Sequence, residues 1–163
     1  EKPIVESKWR RPVLIVVGVI LLFLIFSLSF LDQLQGIVNS EKISADRLSV
    51  NDFTLVFENG TVQALQSHLL ENQEREIKAC LYGSIEDKKY ILTRIEFPTV
   101  LRASVAHIIS IPCKTNALLD VHSHPLSECR PSDQDVTTKK EVRKENPAIQ
   151  FLIMCGLDRF AFI

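Results

Sequence analysis

The sequence predicts an α/β domain over residues 51–163, preceded by one transmembrane helix. Two observations carry this. Residues 13–31, VLIVVGVILLFLIFSLSFL, contain no charge over nineteen positions. Beyond residue 50, short strand-like runs alternate with two stretches of helical character. Net charge is −1 and the pI about 6.5, a balance with no electrostatic footprint of nucleic-acid binding.

At 1.5 Å per residue the 13–31 run makes a helix about 28 Å long, close to the ~30 Å hydrocarbon core of a bilayer. It exceeds the ~7–15-residue apolar core of a cleaved signal peptide, and SLSFLDQL offers no small-residue cleavage site. A helix apolar on every face over this length is also more than a small domain can cover. Residues 13–31 are therefore expected as a single-pass membrane anchor, with residues 1–12 as an N-terminal tail. Lys2, Lys8, Arg10 and Arg11 precede the run, whereas only Lys42 and Arg47 follow it up to residue 50. The positive-inside rule then places the N-terminus in the cytoplasm and the domain on the non-cytoplasmic side. Residues 32–50 are mixed and polar, and read as a stalk or linker.

Within the domain, DFTLVF (52–57) has strand character and stops at Glu58-Asn59-Gly60. Thr61 is expected to cap a helix running to about Asn72, with Val62, Leu65 and Leu69 as its apolar stripe. EIKACLYG (76–83), KKYILTRIEF (88–97), SVAHIISI (104–111) and ALLDVH (117–122) read as strands between charged or proline-containing turns. A polar helix is expected from Ser132 to just before Pro147. AIQFLIMC (148–155) and RFAFI (159–163) read as a hairpin closed by Gly156-Leu157-Asp158.

The chemistry is concentrated in His122-Ser123-His124-Pro125-Leu126-Ser127-Glu128-Cys129-Arg130-Pro131-Ser132-Asp133-Gln134-Asp135. Two histidines at i and i+2, where a strand runs out, point to one face. Both imidazoles can then reach one ion at ~2.0–2.1 Å. Ser132 follows a proline at a helix start, and Asp135 lies on the same helical face. Two nitrogens, a carboxylate and a hydroxyl thus converge, leaving a fourth metal position for water, as in a catalytic zinc site. Each part alone has a plainer explanation: an H-x-H pair can be incidental, and Ser-x-x-Asp is also a capping box. The conjunction is what points to a site.

His122-x-His124-x7-Ser132-x2-Asp135 resembles the signature of the JAMM (MPN-plus) zinc metallopeptidases, including the proline after the second histidine, and most closely their compact prokaryotic or archaeal form. The resemblance covers about residues 50–163. It implies a mixed central β-sheet flanked by helices, of cytidine-deaminase-like type. It also implies one Zn²⁺ on His122, His124 and Asp135, with the Ser132 hydroxyl stabilising the tetrahedral intermediate. The family's general base is a glutamate opening a strand that ends in glycine. Glu76-Ile77-Lys78-Ala79-Cys80-Leu81-Tyr82-Gly83 is similar to that segment, with Ala79 where the family has an inner glycine. Glu76 is thus the implied base and Glu74 the nearest alternative, while Glu71 and Glu86 read as solvated. The implied activity is hydrolysis of an amide bond in a protein or peptide, at the C-terminal tail of a ubiquitin-like protein. The insertions by which deubiquitinating members clasp ubiquitin have little room here, because only residues 136–148 separate Asp135 from the next strand. The other class of function compatible with this family is a non-catalytic MPN scaffold at the membrane; such relatives lose ligands of the set that this chain keeps.

Other zinc chemistries lack their residues: there is no H-E-x-x-H helix, no P-C-x-x-C and no C-x-x-C. His107 and His68 read as structural histidines. Cys129 lies in the loop ahead of Ser132, and Cys155 ends a strand expected to pack near the one bearing His122. A Cys129–Cys155 disulfide would pin the site loop and contribute about 3 kcal/mol by chain entropy. The alternative is two unlinked thiols.

Overall fold

The structure, a computed structural model, describes residues 10–50, 52–104, 107–124 and 128–163. The chain divides into two units, Glu1–Gln35 and Gly36–Ile163. Helix α1 (Arg10–Val38) starts in the first and ends in the second. A helix therefore forms where the apolar run predicts one. However, among the described residues no helix is long and apolar enough to cross a membrane. The expected single-pass anchor at 13–31 is thus not found, and the non-cytoplasmic placement that depended on it goes with it. The basic residues before position 10 lie outside the described residues.

The second unit is built on one eight-stranded sheet. Its strands are β1 (Glu41–Lys42), β2 (Arg47–Val50), β3 (Phe53–Phe57), β4 (Lys78–Glu86), β5 (Lys89–Glu96), β8 (Leu119–Ser123), β9 (Gln150–Met154) and β10 (Arg159–Phe162), in the order β1-β10-β9-β8-β4-β5-β3-β2. Pairs β3–β5 and β8–β9 are parallel and the rest antiparallel. The two strands at opposite ends of this order, β1 and β2, are consecutive in the chain. The turn joining them bridges Ser44 to Arg47 and places Ala45 and Asp46 at positive φ. It is sewn to both sheet edges: Ile43 N–H donates to the Asp158 carbonyl, and Phe57 N–H donates to the Asp46 carbonyl. The sheet therefore curls until its edges nearly meet.

This corrects the expected fold class. In place of a mixed central sheet flanked by helices and preceded by a transmembrane helix, the chain forms a nearly closed, barrel-like sheet with three helices. The physical reason lies in residues 32–50, expected as a linker, which supply the end of α1 and the two closing strands. Strands of two and four residues are too short to show a period-2 pattern.

The interior of the curled sheet is apolar. Leu48, Leu55, Leu81, Leu92, Leu119, Leu152, Met154 and Phe160 are essentially without solvent exposure. Helix α2 (Thr61–Glu71) packs Val62 and Leu65 into the same cluster, with Leu69 partly buried beside them. Its N-cap is Gly60, at φ 73°, rather than Thr61. Thr61 is the first helical residue, and its hydroxyl donates to the Leu92 carbonyl at 3.4 Å. The strand expected at 104–111 is present as β7 (His107–Ser110), which pairs with β6 (Val100–Ser104) in a two-stranded ribbon outside the main sheet. Helix α3 (Asp133–Glu145) lies on the outer side of the central strands. There Val142 packs on the cluster of Cys80, Tyr82, Ala117, Ile149 and Phe151. Asn146 closes α3 and donates to the Ala117 carbonyl at 2.7 Å, while Arg143 donates to the Ile149 carbonyl at 3.2 Å. These bonds hold the helix over β8 and β9.

Two disulfides cross-link the elements around this face: Cys129–Cys155, as weighed from the sequence, and Cys80–Cys113, which was not foreseen. Their Cα atoms are 5.1 and 5.6 Å apart, within the ordinary range for bridged cysteines.

Gly83 marks a register shift where β4 pairs with β5. A Cβ there would stand 1.7 Å from the Ile91 carbonyl oxygen, which belongs to the backbone of the paired strand and has no room to retreat. Gly83→Ala is expected to destabilise the domain by about 2 kcal/mol or more, at the upper end of overpacking costs. A urea midpoint within error of wild type would contradict this account of the β4–β5 pairing.

Candidate metal centre

Strand β8 carries the sequence L-D-V-H-S and is buried along its whole length. Leu119, Val121 and Ser123 alternate with Asp120 and His122, so the apolar pair enters the barrel interior while Asp120, His122 and then His124 share the outer face. That face is covered by α3, whose first turn brings Asp135 over the histidines. His122 Nε2 and His124 Nε2 are 3.2 Å apart. Asp135 Oδ1 is 3.1 Å from the first and its Oδ2 is 3.2 Å from the second. The ligand atoms of all three lie within 4.8 Å of one another, and the group could bind a metal ion. The spacing suits the purpose: bonds of ~2.0–2.1 Å in tetrahedral geometry give ligand–ligand edges of about 3.3 Å.

Ser132 shapes the third ligand. It is the N-cap of α3 and forms a complete capping box with Asp135. The Ser132 N–H donates to Asp135 Oδ2 at 2.7 Å and its hydroxyl donates to the same oxygen at 2.6 Å. In return Asp135 N–H donates to Ser132 Oγ at 3.2 Å. The capping role weighed from the sequence is therefore present, and it also orients the carboxylate toward the histidines. The Cys129–Cys155 bridge ties the loop entering Ser132 to the end of β9. Pro125, part of the sequence motif, lies outside the described residues.

Glu76 is 7% exposed and stands just before β4. Ile77 N–H donates to Ser123 Oγ and Ser123 N–H donates to the Ile77 carbonyl, both at 3.0 Å. These bonds continue the β4–β8 register, in which Lys78 faces His122, and so bring Glu76 opposite His124. By contrast Glu74 is exposed in the turn after α2, and Glu71 and Glu86 are exposed as well. His68 lies on α2 with its ring stacked on Phe97, centroids 3.9 Å apart, beside the Asn72 side chain. It is a packing residue, as the sequence reading has it. The His107 side chain lies outside the described residues.

The electrostatics follow from this crowding. Burial by itself would raise the Asp135 carboxyl pKa. Hydrogen bonds from His122 and His124, the charge of His122 and the Ser132 hydroxyl outweigh it, holding the group well below the ordinary carboxylate range. For His124, burial favours the neutral ring. The hydrogen bond and charge of Asp135 overcome that, with Glu76 and Glu128 adding to the effect, and its pKa is raised.

Sequence reasoning missed one pair on this face. Lys78 Nζ and Asp120 Oδ2 are 3.1 Å apart with both side chains largely buried. Strand alternation carries the signal: Lys78 is two residues after Glu76, and Asp120 is two before His122. Cys80–Cys113 had no such signal beyond the fact that pairing two of four cysteines leaves two.

Metal binding requires His124 in its neutral form, so a proton competes with the ion. In the metal-free chain, the interactions with protonated His124 contribute stability below its ordinary pKa and are lost as pH rises through the raised value. Metal affinity is accordingly expected to increase between about pH 5 and about pH 8, the range in which histidines titrate. Competition titration with a chromophoric chelator measures it, and an affinity independent of pH over that range would contradict the three-ligand site.

No family model matches this chain and no match is found among curated proteins, so the chemistry assigned to the site rests on the residues themselves.

Proposed function

We propose that this chain is a zinc-dependent peptidase or isopeptidase of the JAMM type, hydrolysing an amide bond at the C-terminal tail of a ubiquitin-like protein. The observation that carries the reading is the convergence of His122, His124 and Asp135 on one point, with the buried Glu76 opposite His124. His122, His124 and Asp135 would hold one Zn²⁺ and leave a fourth position open. Bound there, zinc would supply Lewis acidity, bringing the pKa of water toward ~7 and polarising the scissile carbonyl.

The remaining work falls to the chain's own groups. Glu76 takes the proton from the attacking water and delivers it to the departing amine. Its burial beside β8 keeps that proton from exchanging freely with solvent. Ser132 turns its hydroxyl from Asp135 toward the carbonyl oxygen as charge develops there, donating a hydrogen bond that is strongest in the transition state. Asp135 retains the Ser132 backbone N–H when the hydroxyl moves, so the ligand stays oriented.

The test is zinc content together with cleavage of ubiquitin-like fusions and generic peptides. Wild type is expected to hold one zinc per chain. His122→Ala or His124→Ala should lose it, since two remaining ligands hold zinc poorly. Glu76→Gln should keep the metal and lose turnover; near-wild-type hydrolysis by this variant would remove Glu76 from the mechanism. Ser132→Ala should lower kcat by about 10²–10³ through the lost oxyanion donor, and stability by about 1 kcal/mol through the lost cap. A stability loss with unchanged kcat in the folded fraction would leave Ser132 only its structural role.

A further inference from the structure

A cavity of about 220 Å³ opens directly beside the metal centre and shares His122 and Asp135 with it. Its walls are mixed: Ile108 from β7, Val142 from α3 and Phe151 from β9 supply apolar surface, and Ser110, Gln134 and Thr138 supply neutral polar groups. Its lining also contains a buried ion pair, Lys78–Asp120, whose side chains are only 14% and 4% exposed. We propose that this cavity is a side-chain subsite selecting a neutral carboxamide, as in glutamine or asparagine, on a residue flanking the scissile bond. The inference rests on the peptidase reading above and names the substrate feature that the reading leaves open.

Three considerations lead there. The first is position. A substrate carbonyl placed among His122, Asp135 and Ser132 has its neighbouring side chain within reach of a cavity walled by two of those residues. The second is cost. Burying two charges is expensive, and replacing such a pair by apolar residues is often neutral or stabilising. The pair stands on the strand face that lines the cavity, so its polar atoms are presented to whatever side chain enters.

The third is complementarity. Among the described contacts, Asp120 engages one of the three ammonium hydrogens of Lys78. A carboxylate entering the cavity would gain Lys78 but meet Asp120, and a cation would gain Asp120 but meet Lys78. A hydrocarbon side chain would expel water and leave the Lys78 hydrogens that Asp120 does not engage without a partner, a loss of roughly tenfold or more in affinity. A carboxamide satisfies both at once: its oxygen accepts from Lys78 and its N–H donates to Asp120.

The experiment is isothermal titration of the zinc-loaded full chain with four N-acetyl amino-acid hydroxamates, carrying glutamine, leucine, glutamate and lysine side chains. The hydroxamate anchors each probe at the metal, and the readout is affinity rather than turnover. The glutamine probe is expected to bind about tenfold more tightly than the other three. The double variant Lys78→Met/Asp120→Leu removes the pair without orphaning either charge. It should keep its zinc and shift the preference to the leucine probe. Equal affinity for all four probes, or a glutamine preference that survives the double variant, overturns the subsite. If the chain takes up no zinc, or binds none of the hydroxamates, the metallopeptidase reading itself fails and the subsite falls with it. The wild-type ranking decides the matter even if the double variant does not fold.

Discussion

The site depends on one constraint: the outer face of β8 is both polar and buried. Asp120, His122 and His124 lie on the central strand of a curled sheet, with β4 on one side, β9 on the other and α3 above. Groups of this kind removed from water must find partners or cost several kcal/mol. Here each finds one on a neighbouring element, the two histidines sharing Asp135. Lys78 comes from β4, Asp135 from α3, and the strand end itself is locked by reciprocal bonds between Ile77 and Ser123. Among the described residues no buried side-chain nitrogen or oxygen lacks a partner. The arrangement that could bind a metal and the arrangement that lets the sheet bury this face are therefore the same set of contacts.

Coupling of this kind accounts for how strongly α3 is tethered. A helix with no fully buried residue of its own gains little from hydrophobic packing beyond the contact of Val142, and its sequence is mostly polar. It is held at its start by the Ser132–Asp135 capping box and at its end by Asn146 and Arg143. Acidic residues in its first turn and basic ones in its last also suit the helix dipole. The Cys129–Cys155 bridge restrains the segment leading into it, and Cys80–Cys113 restrains the connection between β7 and β8 that borders the cavity. Disulfides placed at the margin of a site reduce the conformational freedom of its loops where a small core cannot.

The candidate ligands were legible because their logic is local. An H-x-H pair at a strand end and a Ser-x-x-Asp at a helix start obey the periodicities of strand and helix, and both periodicities operate within a few residues. The Glu76 assignment came from resemblance, and the β4–β8 register brings that residue opposite His124. Lys78 and Asp120 escaped notice although strand alternation puts them on the face of Glu76 and His122. A lysine and an aspartate forty-two positions apart in sequence carry no sign that they meet. The fold class was misjudged for a related reason. Closure of the sheet is decided by β1 and β2, six residues in two short strands, which look like linker when read alone. Length and hydropathy likewise predicted that residues 13–31 cross a membrane, whereas among the described residues no helix is long and apolar enough to do so.

By itself, then, the sequence determined the alternation that puts Asp120, His122 and His124 on one face, the helix start that presents Ser132 and Asp135, and the apolar runs that become the barrel interior. These follow from backbone periodicity and side-chain polarity, which each residue carries with it. Only the tertiary structure decided that the sheet curls nearly closed, that Asp135 descends on both histidines at 3.1–3.2 Å, that four cysteines form two bridges, and that Lys78 and Asp120 share a cavity with the metal centre. Those outcomes depend on register and on distance between segments remote in sequence. They arise when buried polar groups from different elements must satisfy one another in the same small volume.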